Sequence, residues 1–427
     1  MNTPVEKAYT LQRNIPSVAR YDVVVVGGGM AGIGAACGAA RGGARTLLIE
    51  RFAQTGGMGS LAGVGNWCYC GPLEGQGFVF DELWAGMSKL RAIGPRNGWP
   101  IQITPPPLIR ENNLYDHTLL PLVAQHTLKR NGVDLLFHTE VTDVIVKDNE
   151  IRAVIIHNRS LGQAIEGEVF IDATGDGLVA QHAGVPVLPL ETSSLMPAGF
   201  IIFVRGVEQA DLLPLLDEGG QPPLPHYSTY AIPGDGVGIK CRVYGHDTGT
   251  GEGLSAAEES IRGQILQVIQ DYQRKHRQAI RIEHIPPMLG VREGRRVQGD
   301  LVLTVDDVEQ GRRFKDAVAF GAFTIDTVDH TVDRAVPPYT IPLRSLIASG
   351  VNNLMLAGRC FSADRLAMSS ARVMSTGCMT GQAAGFTAAL AVTAKTGVRE
   401  VEAARVRQMM IDTSDHRDLV HQRLAPR

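Results

Sequence analysis

Tyr21-Asp22-Val23-Val24-Val25-Val26-Gly27-Gly28-Gly29-Met30-Ala31-Gly32 is the stretch that decides the fold of this chain. A run of valines ends abruptly in glycines, which is typical of a buried parallel strand that turns directly into a helix. Gly27, Gly29 and Gly32 have the spacing G-x-G-x-x-G. In such a loop the first glycine permits a tight turn, the second lets a pyrophosphate approach the backbone, and the third lets the helix pack closely on the strand. The pattern predicts a helix from about Met30 to Arg41, with its N-terminal amides directed at phosphate groups.

The residues that follow support a nucleotide site. Gly42-Gly43 predicts the end of the helix, and residues 44–49 predict a second apolar strand that is closed by Glu50. A carboxylate at this position can accept hydrogen bonds from both hydroxyls of an adenosine ribose. The spacing G-x-G-x-x-G alone is a weak signal, and a glycine-rich turn that binds nothing is the alternative. The strand before it, the helix after it and the acid make a dinucleotide site the stronger interpretation.

The next segment distinguishes between dinucleotides. Arg51-Phe52-Ala53-Gln54-Thr55-Gly56-Gly57-Met58-Gly59-Ser60 is a second glycine-rich turn that can wrap a longer ligand. Here the chain resembles the FAD-dependent oxidoreductases of the glutathione-reductase structural class, in which the turn after the acid runs beside the pyrophosphate and the ribityl chain. The resemblance implies FAD as cofactor. The residues that the resemblance assigns to FAD binding in this part of the chain are Gly27, Gly28, Gly29, Met30, Ala31, Gly32, Glu50, Arg51, Gly57, Met58 and Ser60.

A second match to the same family lies in the middle of the nucleotide region. Asp116 is predicted to N-cap a helix through Lys129, and strands are predicted near 133–137, 141–146 and 151–156. A further strand, 169–172, runs into the turn Ala173-Thr174-Gly175. By the resemblance, the backbone of Val141 meets the adenine, and Ala173, Thr174 and Gly175 lie near the pyrophosphate.

Beyond Gly184 the pattern changes to one that suits an inserted domain. Strands are predicted at 199–205 and 238–243, and a long amphipathic helix is predicted to begin at the capping box Ser255-Ala256-Ala257-Glu258. The segment 292–296 then places Arg292, Arg295 and Arg296 beside Glu293. These arginines can bind a carboxylate, or Glu293 can pair with them locally in a structural ion network.

The C-terminal region carries the third match. Residues 354–360 predict a last parallel strand that opens on Gly358, and a helix rich in glycine and alanine follows. The sequence from Ala357 to Gly385 closely resembles the general FAD-dependent oxidoreductase family related to fumarate-reductase-type flavoproteins. In such proteins that helix points its N-terminus at the flavin pyrimidine ring. The resemblance adds to the FAD-binding set Gly358, Arg359, Met374 and Ser375.

Residues 364–376 are therefore expected to pass the isoalloxazine ring. In the fumarate-reductase relatives this segment supplies a histidine and an arginine to a dicarboxylate, but this chain has no histidine there. Arg365 and Arg372 are candidates for anchoring an anionic substrate or stabilising reduced flavin, and Asp364 is a candidate base. The alternative is a surface Asp364–Arg365 pair with Arg372 bonded to backbone carbonyls.

Composition excludes several other classes. The 427 residues have a net charge of −3 without long single-sign blocks, which gives no electrostatic case for nucleic acid or a membrane surface. No secretory signal or membrane span is apparent, so a cytoplasmic location is predicted. Six scattered cysteines spell out neither a disulfide framework nor an iron–sulfur site, and the Cys68-Tyr69-Cys70 pair is either redox-active or, more simply, a pair of bystander thiols.

The sequence thus predicts an α/β protein with a discontinuous Rossmann-like FAD-binding domain and an inserted mixed α/β substrate domain. The aromatic and amide side chains of the segment between the second glycine-rich turn and the nucleotide domain either line a substrate pocket or pack beneath a loop; they are Asn66, Trp67, Tyr69, Trp84 and Trp99. The predicted division is an N-terminal extension (1–20), the FAD-binding domain (21–60, 111–185 and 336–400), a cap (61–110), the substrate domain (186–335) and a C-terminal helix or tail (401–427).

The predicted activity is hydride transfer between a small, anionic organic substrate and flavin N5. A flavin oxidase or monooxygenase that uses O2 is one alternative, and an FAD-binding electron-transfer subunit without its own substrate is another. A second G-x-G-x-x-G in strand–helix context is missing from the sequence, so a dedicated NAD(P)H domain is not expected. The predicted partner is a small molecule, with neither nucleic acid nor a membrane, and a redox partner protein or a homo-oligomer is left open. No metal ligand is predicted.

Overall fold

The computed structural model describes residues 9–68, 74–93, 115–190, 195–207, 228–232, 236–326 and 334–426. The strands in these residues are β1 (Ser17–Val26), β2 (Thr46–Ile49), β3 (Asp134–Leu136), β4 (Glu140–Lys147), β5 (Glu150–Asn158), β6 (Leu161–Asp172), β7 (Ala198–Arg205), β8 (Ser228–Ile232), β9 (Gly236–Val243), β10 (Arg281–His284), β11 (Ala317–Gly321), β12 (Tyr339–Pro342) and β13 (Leu354–Leu356). The helices are α1 (Met30–Arg41), α2 (Phe78–Lys89), α3 (Leu120–Arg130), α4 (Leu178–His182), α5 (Gly251–His276), α6 (Val305–Glu309), α7 (Arg365–Ala371), α8 (Met374–Ala394), α9 (Ala403–Thr413) and α10 (Arg417–Leu424).

A seven-stranded sheet organises the nucleotide region. Its order is β3-β2-β1-β6-β5-β4, and β13 also pairs with β6. The strands β2, β1, β6 and β13 run parallel, whereas β4 and β5 are antiparallel to their neighbours. The valines 23–26 of β1 are fully or almost fully buried, as expected for a strand covered on both faces. The α/β, Rossmann-like fold that the sequence predicts is confirmed.

Helices α1 and α8 pack against each other through glycines, as the small residues of α8 predict. A methyl group at Gly34 would overlap the carbonyl oxygen of Cys378, and one at Gly381 would overlap that of Ala31. Gly385 meets the carbonyl oxygen of Ala35 in the same way. Because only hydrogen occupies these positions, the two helix backbones approach within contact distance.

A four-stranded antiparallel sheet, with order β10-β7-β9-β8, forms a separate layer. Ile239 and Cys241 of β9 are buried in one apolar cluster with Ile261 and Ile265 of α5. Side chains alternate between the two faces of a strand, so Lys240 lies on the face opposite α5. This sheet therefore has an apolar, helix-covered face and a second face that carries charge.

Two helix starts differ from the sequence prediction. Helix α3 begins at Leu120, because the carboxylate of Asp116 accepts hydrogen bonds from the N–H and hydroxyl of Thr118 and does not cap the helix. Helix α5 begins at Gly251 with Thr250 as N-cap, whose hydroxyl accepts from the Gly253 N–H at 3.1 Å. Ser255 instead donates to a carbonyl one turn earlier, so the predicted capping box is wrong.

The aromatic residues of the predicted cap pack together where the structure describes them. Trp67 is fully buried and stacks on Tyr115 with ring centroids 4.2 Å apart. It also contacts Phe80 and Trp84. These contacts support the packing alternative for Trp67 and Trp84, while Tyr69, Cys70 and Trp99 lie outside the described residues.

Helices α9 and α10 cover the core at the C-terminal side of the chain. Val406, Met410, Val420 and Leu424 are fully buried in the same apolar cluster as β1. Among the helices that the structure describes, none combines the length and apolar character required to cross a bilayer. The predicted domain boundaries and the predicted location stay predictions.

Candidate functional site

The first glycine-rich loop has the geometry of a phosphate cradle. Gly27 has a φ of +102°, and a Cβ there would lie 2.5 Å from the carbonyl oxygen of Ala173. A methyl group at Gly32 would overlap the carbonyl oxygen of Gly27. By contrast, a Cβ at Gly29 would meet nothing within 4 Å. Close packing thus requires glycine at positions 27 and 32. Gly29 instead borders open space at the N-terminus of α1, where a phosphate can approach the backbone.

Glu50 is anchored at the edge of this space. Its side chain is buried, and its Oε2 accepts from the Gly28 N–H at 2.6 Å while its Oε1 accepts from the Phe52 N–H at 2.9 Å. Each carboxylate oxygen has a second lone pair available. The orientation is therefore fixed by backbone donors, and acceptor capacity remains for ribose hydroxyls.

The second glycine-rich turn lies beside the first. The Gly56 N–H donates to the Gly28 carbonyl at 2.8 Å, and a Cβ at Gly57 would lie 3.0 Å from the Cα of Gly29. Ser60 closes this turn by donating to the Thr55 carbonyl at 2.8 Å. The structure thus brings the two predicted nucleotide segments together. The remaining two predicted residues of this turn are the exposed Arg51, whose guanidinium lies over the Phe52 ring, and the partly buried Met58.

The pairing of β6 with β13 brings the two further predicted turns to the same edge of the sheet. Thr174 donates its hydroxyl to Asp172 at 2.7 Å. Arg359 donates to Asp176 at 2.8 Å, and a Cβ at Gly175 would lie 3.2 Å from its Nη2. The Gly358 N–H donates to the Thr380 hydroxyl of α8 at 3.2 Å. Ala173 and Val141 are buried, Val141 in β4 opposite Ile156.

The N-terminus of α8 is the last part of this constellation. Val373, the N-cap residue, provides no side-chain cap, and no acidic residue occupies the first turn. The hydroxyl of Thr376 is buried without a partner in the described part of the chain. Met374 contacts the Tyr115 hydroxyl, and Ser375 donates to the Cys68 carbonyl at 3.4 Å. Uncapped amides and a buried, unpaired hydroxyl suit an electron-rich ring system.

A basic cleft adjoins this helix terminus. Its lining residues are Met196, Arg292, Glu293, Gly294, Arg296, Asp326, Arg365, Leu366, Met368, Ser369 and Arg372. Arg365 does not pair with Asp364 as the alternative interpretation expected, because it donates to Glu293 with Nε–Oε1 at 2.6 Å and Nη2–Oε2 at 3.3 Å. Glu293 also lies 3.7 Å from Arg296. The local pairing of Glu293 is thus confirmed, and its charge is shared by two arginines.

Arg372 and Arg292 share a second carboxylate. Both donate to the same oxygen of Asp326, Arg372 at 2.6 Å. Burial raises the pKa of Asp326, but the two guanidinium groups outweigh this effect and hold it below its usual range. Burial and the neighbouring Arg292 lower the pKa of Arg372 to about 10. Nη1 of Arg292 and Nε of Arg372 are buried without a hydrogen-bond partner among the described residues.

The charged face of the four-stranded sheet contributes to the same electrostatic environment. Lys240 interacts with Arg242, Arg292, Asp326 and Cys68. Burial, together with the two arginines, lowers the pKa of Lys240 to about 7. The described residues thus gather four cations around the carboxylate of Asp326. Two of them, Arg292 and Arg372, line the cleft, and the other two, Lys240 and Arg242, are on β9.

Asp364 is engaged by backbone donors. One of its oxygens accepts from the Ala367 N–H at 2.8 Å and caps α7, and the other accepts from the Val305 N–H at 2.6 Å. This arrangement favours a capping role, and the predicted role as a base stays a prediction without geometric support.

Two residues of the cleft region escaped the sequence interpretation. The position of Lys240 could have been predicted, because Lys240 and Arg242 alternate with apolar residues along a predicted strand and so share one face of it. That of Asp326 could not, because its partners Arg292 and Arg372 are 34 and 46 positions away.

Comparisons with known proteins bear on the family and the fold of this chain. The model of a family described as FAD dependent oxidoreductase matches residues 22–189 and 207–410. The anhydrotetracycline hydroxylase OxyS from Streptomyces rimosus is 15% identical, with a TM-score of 0.50 over 95% of this chain and 68% of that chain. The halogenase PltM is 14% identical, with a TM-score of 0.50 over 94% and 75%. At this identity the two structures are similar to this chain in fold alone.

Proposed function

The chain belongs to the FAD dependent oxidoreductase family, and from this premise we propose that it transfers a hydride between a small, anionic organic substrate and N5 of FAD. Family membership establishes an FAD-dependent oxidoreductase. The substrate class and the hydride step are the proposal.

The residues of the cradle fit FAD. In this proposal Gly29 and the N-terminus of α1 face the pyrophosphate, and Glu50 accepts the ribose hydroxyls. The amides of Met374 and Ser375 at the start of α8 face the flavin, where they stabilise negative charge. Bound FAD supplies the two-electron chemistry.

The observation that carries the anionic substrate is the sharing of Asp326 by Arg372 and Arg292. Two guanidinium groups around one carboxylate leave a positive charge uncompensated, and each retains a buried, unpaired N–H. Burying unpaired charge and unpaired donors is costly. A carboxylate or phosphate of a substrate would satisfy both, which favours a ligand-binding role over a purely structural one.

Arg365 has a weaker claim to the substrate. Its guanidinium is already engaged by both oxygens of Glu293, so its charge is largely compensated. We therefore assign Arg372 as the principal anchor and Arg365 as a residue that positions Glu293 and the cleft wall. Asp364 holds the start of α7, which carries Arg365.

Arg372→Ala tests the proposal. Asp326 keeps Arg292 as a partner in this variant, so the buried carboxylate is not stranded. We expect the protein to fold with normal FAD content and its substrate dissociation constant to rise about 10- to 100-fold, the value of a charged hydrogen-bonded contact. The measurement is anaerobic titration of the flavin spectrum with a panel of small hydroxy, amino and unsaturated carboxylic acids, and their phosphorylated counterparts.

Arg20→Ala is the matched control, because Arg20 forms an exposed pair with Glu168 on β1 and β6. Unchanged substrate binding in the Arg372 variant would contradict the role of Arg372. Failure of every anion to perturb or reduce the wild-type flavin would contradict the proposed function itself. Stoichiometric oxygen incorporation during turnover would instead support a monooxygenase.

A further inference from the structure

The face of the four-stranded sheet that points away from α5 carries a lysine in an unusual position. Ile239, Cys241 and Val243 are all buried against α5, which places Lys240 and Arg242 on the opposite face. Lys240 is partly buried and forms no ion pair with a carboxylate in the ranges that the structure describes. A lysine held among cations without a dedicated anion is not explained by fold stability.

The surroundings of Lys240 connect the sheet with both parts of the proposed site. The charge of Lys240 interacts electrostatically with Arg292 and Asp326 of the basic cleft and with Arg242 on its own strand. Lys240 also interacts electrostatically with the side chain of Cys68. The backbone carbonyl of Cys68 accepts a hydrogen bond from Ser375 at the start of α8.

Ile201 of β7, which is opposite Lys240 in the register of β7 and β9, donates its N–H to the Ala62 carbonyl at 3.4 Å, just beyond the second glycine-rich turn. Gly199 of β7 pairs with Gly290, two residues before Arg292. This part of the sheet therefore lies against both the turn assigned to FAD and the segment that carries an arginine assigned to the anion.

We propose that Lys240 is the residue that transfers the proton accompanying hydride transfer, and that the substrate is an alcohol or amine that also carries the anionic group. This inference rests on the proposed function. Arg372 and Arg292 hold the anion, and the uncharged Lys240 amine meets the O–H or N–H next to the reacting carbon.

The step balances without a further reactant. In the oxidative direction, the C–H bond of the substrate breaks and its electron pair leaves with the hydrogen to FAD, which gains two electrons. The proton of the adjacent O–H or N–H passes to Nζ of Lys240, and the electron pair of that bond forms the new C=O or C=N bond. The same groups serve the reverse reaction, in which ammonium Lys240 donates the proton.

The electrostatics support an amine that changes protonation state under ordinary conditions. Burial, Arg242 and Arg292 disfavour the ammonium form, whereas Cys68 and Asp326 favour it, and the balance lowers the pKa to about 7. An amine with a pKa near the working pH is suited to general acid–base catalysis. A surface lysine titrates some three units higher and would hold its proton.

The first test needs no substrate. The FAD-loaded protein is labelled with trace acetic anhydride over pH 5 to 11, and the acetylation of each lysine is quantified by mass spectrometry, with exposed Lys147 on β4 as the reference. We expect the labelling of Lys240 to rise with a midpoint near 7. A midpoint near 10 would overturn the proposal, whether or not a substrate is known.

The second test uses flavin reduction by the best wild-type substrate at limiting concentration, which reports the free enzyme. The wild-type rate should rise through pH 7 and then level. Lys240→Gln should slow reduction by about 10²-fold or more and remove that inflection. Lys240→Arg keeps the charge but cannot release a proton, so it should bind substrate and remain slow.

Each outcome has a distinct meaning. Recovery of the wild-type rate in Lys240→Arg, or an unchanged pH profile in Lys240→Gln, would show that Lys240 contributes charge only and would overturn the inference. Rescue of Lys240→Ala by added methylamine would support it. If no anionic alcohol or amine reduces the wild-type flavin but another anion perturbs or reduces it, the inference fails and the proposed function stands. If no anion does so, the proposed function fails, while the labelling midpoint still decides the state of Lys240.

Discussion

The stability of this protein at a given pH depends on single buried ionisable groups, because burying a charge is costly unless hydrogen-bond partners compensate it. Asp172 accepts hydrogen bonds from three donor groups, which are the N–H and the hydroxyl of Thr174 and the N–H of Ala180. Asp81 has fewer. Its Oδ2 accepts from the Ser414 hydroxyl at 3.3 Å, and burial raises its pKa to about 6 despite nearby His416 and Ser414. Asp81 is therefore a place where ionisation opposes folding.

Asp81→Asn should stabilise the protein at pH 8. The folded-state pKa of Asp81 is raised, so its contribution to stability is fully present below the unfolded-state pKa of 3.8 and is lost as pH rises through about 6. The amide removes this loss while keeping an acceptor for Ser414. We expect a gain of about 1–3 kcal/mol in unfolding free energy at pH 8, shrinking towards zero near pH 4, as measured by urea unfolding. Asp412→Asn, on the exposed side of α9, is the control, and an equal gain there would refute the explanation.

For single residues, the sequence predicted which residues belong to the site better than it predicted which residues they contact. The role of Glu50 and of the glycines in the first loop could be predicted from their local spacing. The ion pairs of Arg365 and Arg372 join residues 72 and 46 positions apart, and no local pattern encodes such distances. The fold alone decides which of many acids each arginine meets.

At the scale of helices and strands, boundaries were predictable where glycine sets them. Helix α1 spans Met30–Arg41 as expected, since Gly29 and Gly42 flank it. The starts of α3 and α5 were wrong because Asp116 and Ser255 bond to neighbours within their own turn. Several residues near a helix start can compete for capping, and the winner depends on geometry.

The contact between α1 and α8 gives the prediction at this scale. Gly381→Ala would drive a methyl group into the Ala31 carbonyl, and a backbone atom cannot rotate away as a side chain can. We expect a loss of about 2 kcal/mol or more in stability, with weaker FAD binding. Gly263→Ala on the exposed side of α5, where a Cβ meets nothing within 4 Å, should instead gain about 0.5–1 kcal/mol. Equal responses in urea unfolding would contradict the close-contact argument.

At the scale of the whole molecule, two histidines mark where the four-stranded sheet meets the turn before α3. His117 stacks on Phe203 of β7 at 4.5 Å and lies 4.8 Å from His284 of β10. The Nε2 atoms of both histidines are buried without a partner in the described chain. Burial and His284 lower the pKa of His117 to about 4, against a smaller opposing effect of Asp116.

This contact should weaken in acid. A depressed histidine pKa means that the unfolded chain binds the proton more tightly, so the stability is intact above pH 6.5 and is lost as pH falls towards 4. We expect a decline of up to about 3 kcal/mol over this range. His117→Phe keeps the stacking ring without a titrating group and should flatten the decline, measured by thermal unfolding between pH 4 and 7. The exposed His126→Phe variant of α3 serves as control; a parallel decline in wild type and His117→Phe would exclude this cause.

The glycine contact between α1 and α8 also has a consequence for biosynthesis. The two helices that close the cofactor cradle stand near opposite ends of the sequence, and β13, which completes the central sheet, comes just before the later helix. A ribosome adds only about 5–20 residues each second, so the side of α1 that α8 covers stays exposed while the long segment between Arg41 and Met374 is synthesised. Cofactor loading is therefore expected to be a late event, and the growing chain is a natural client for chaperones until α8 emerges.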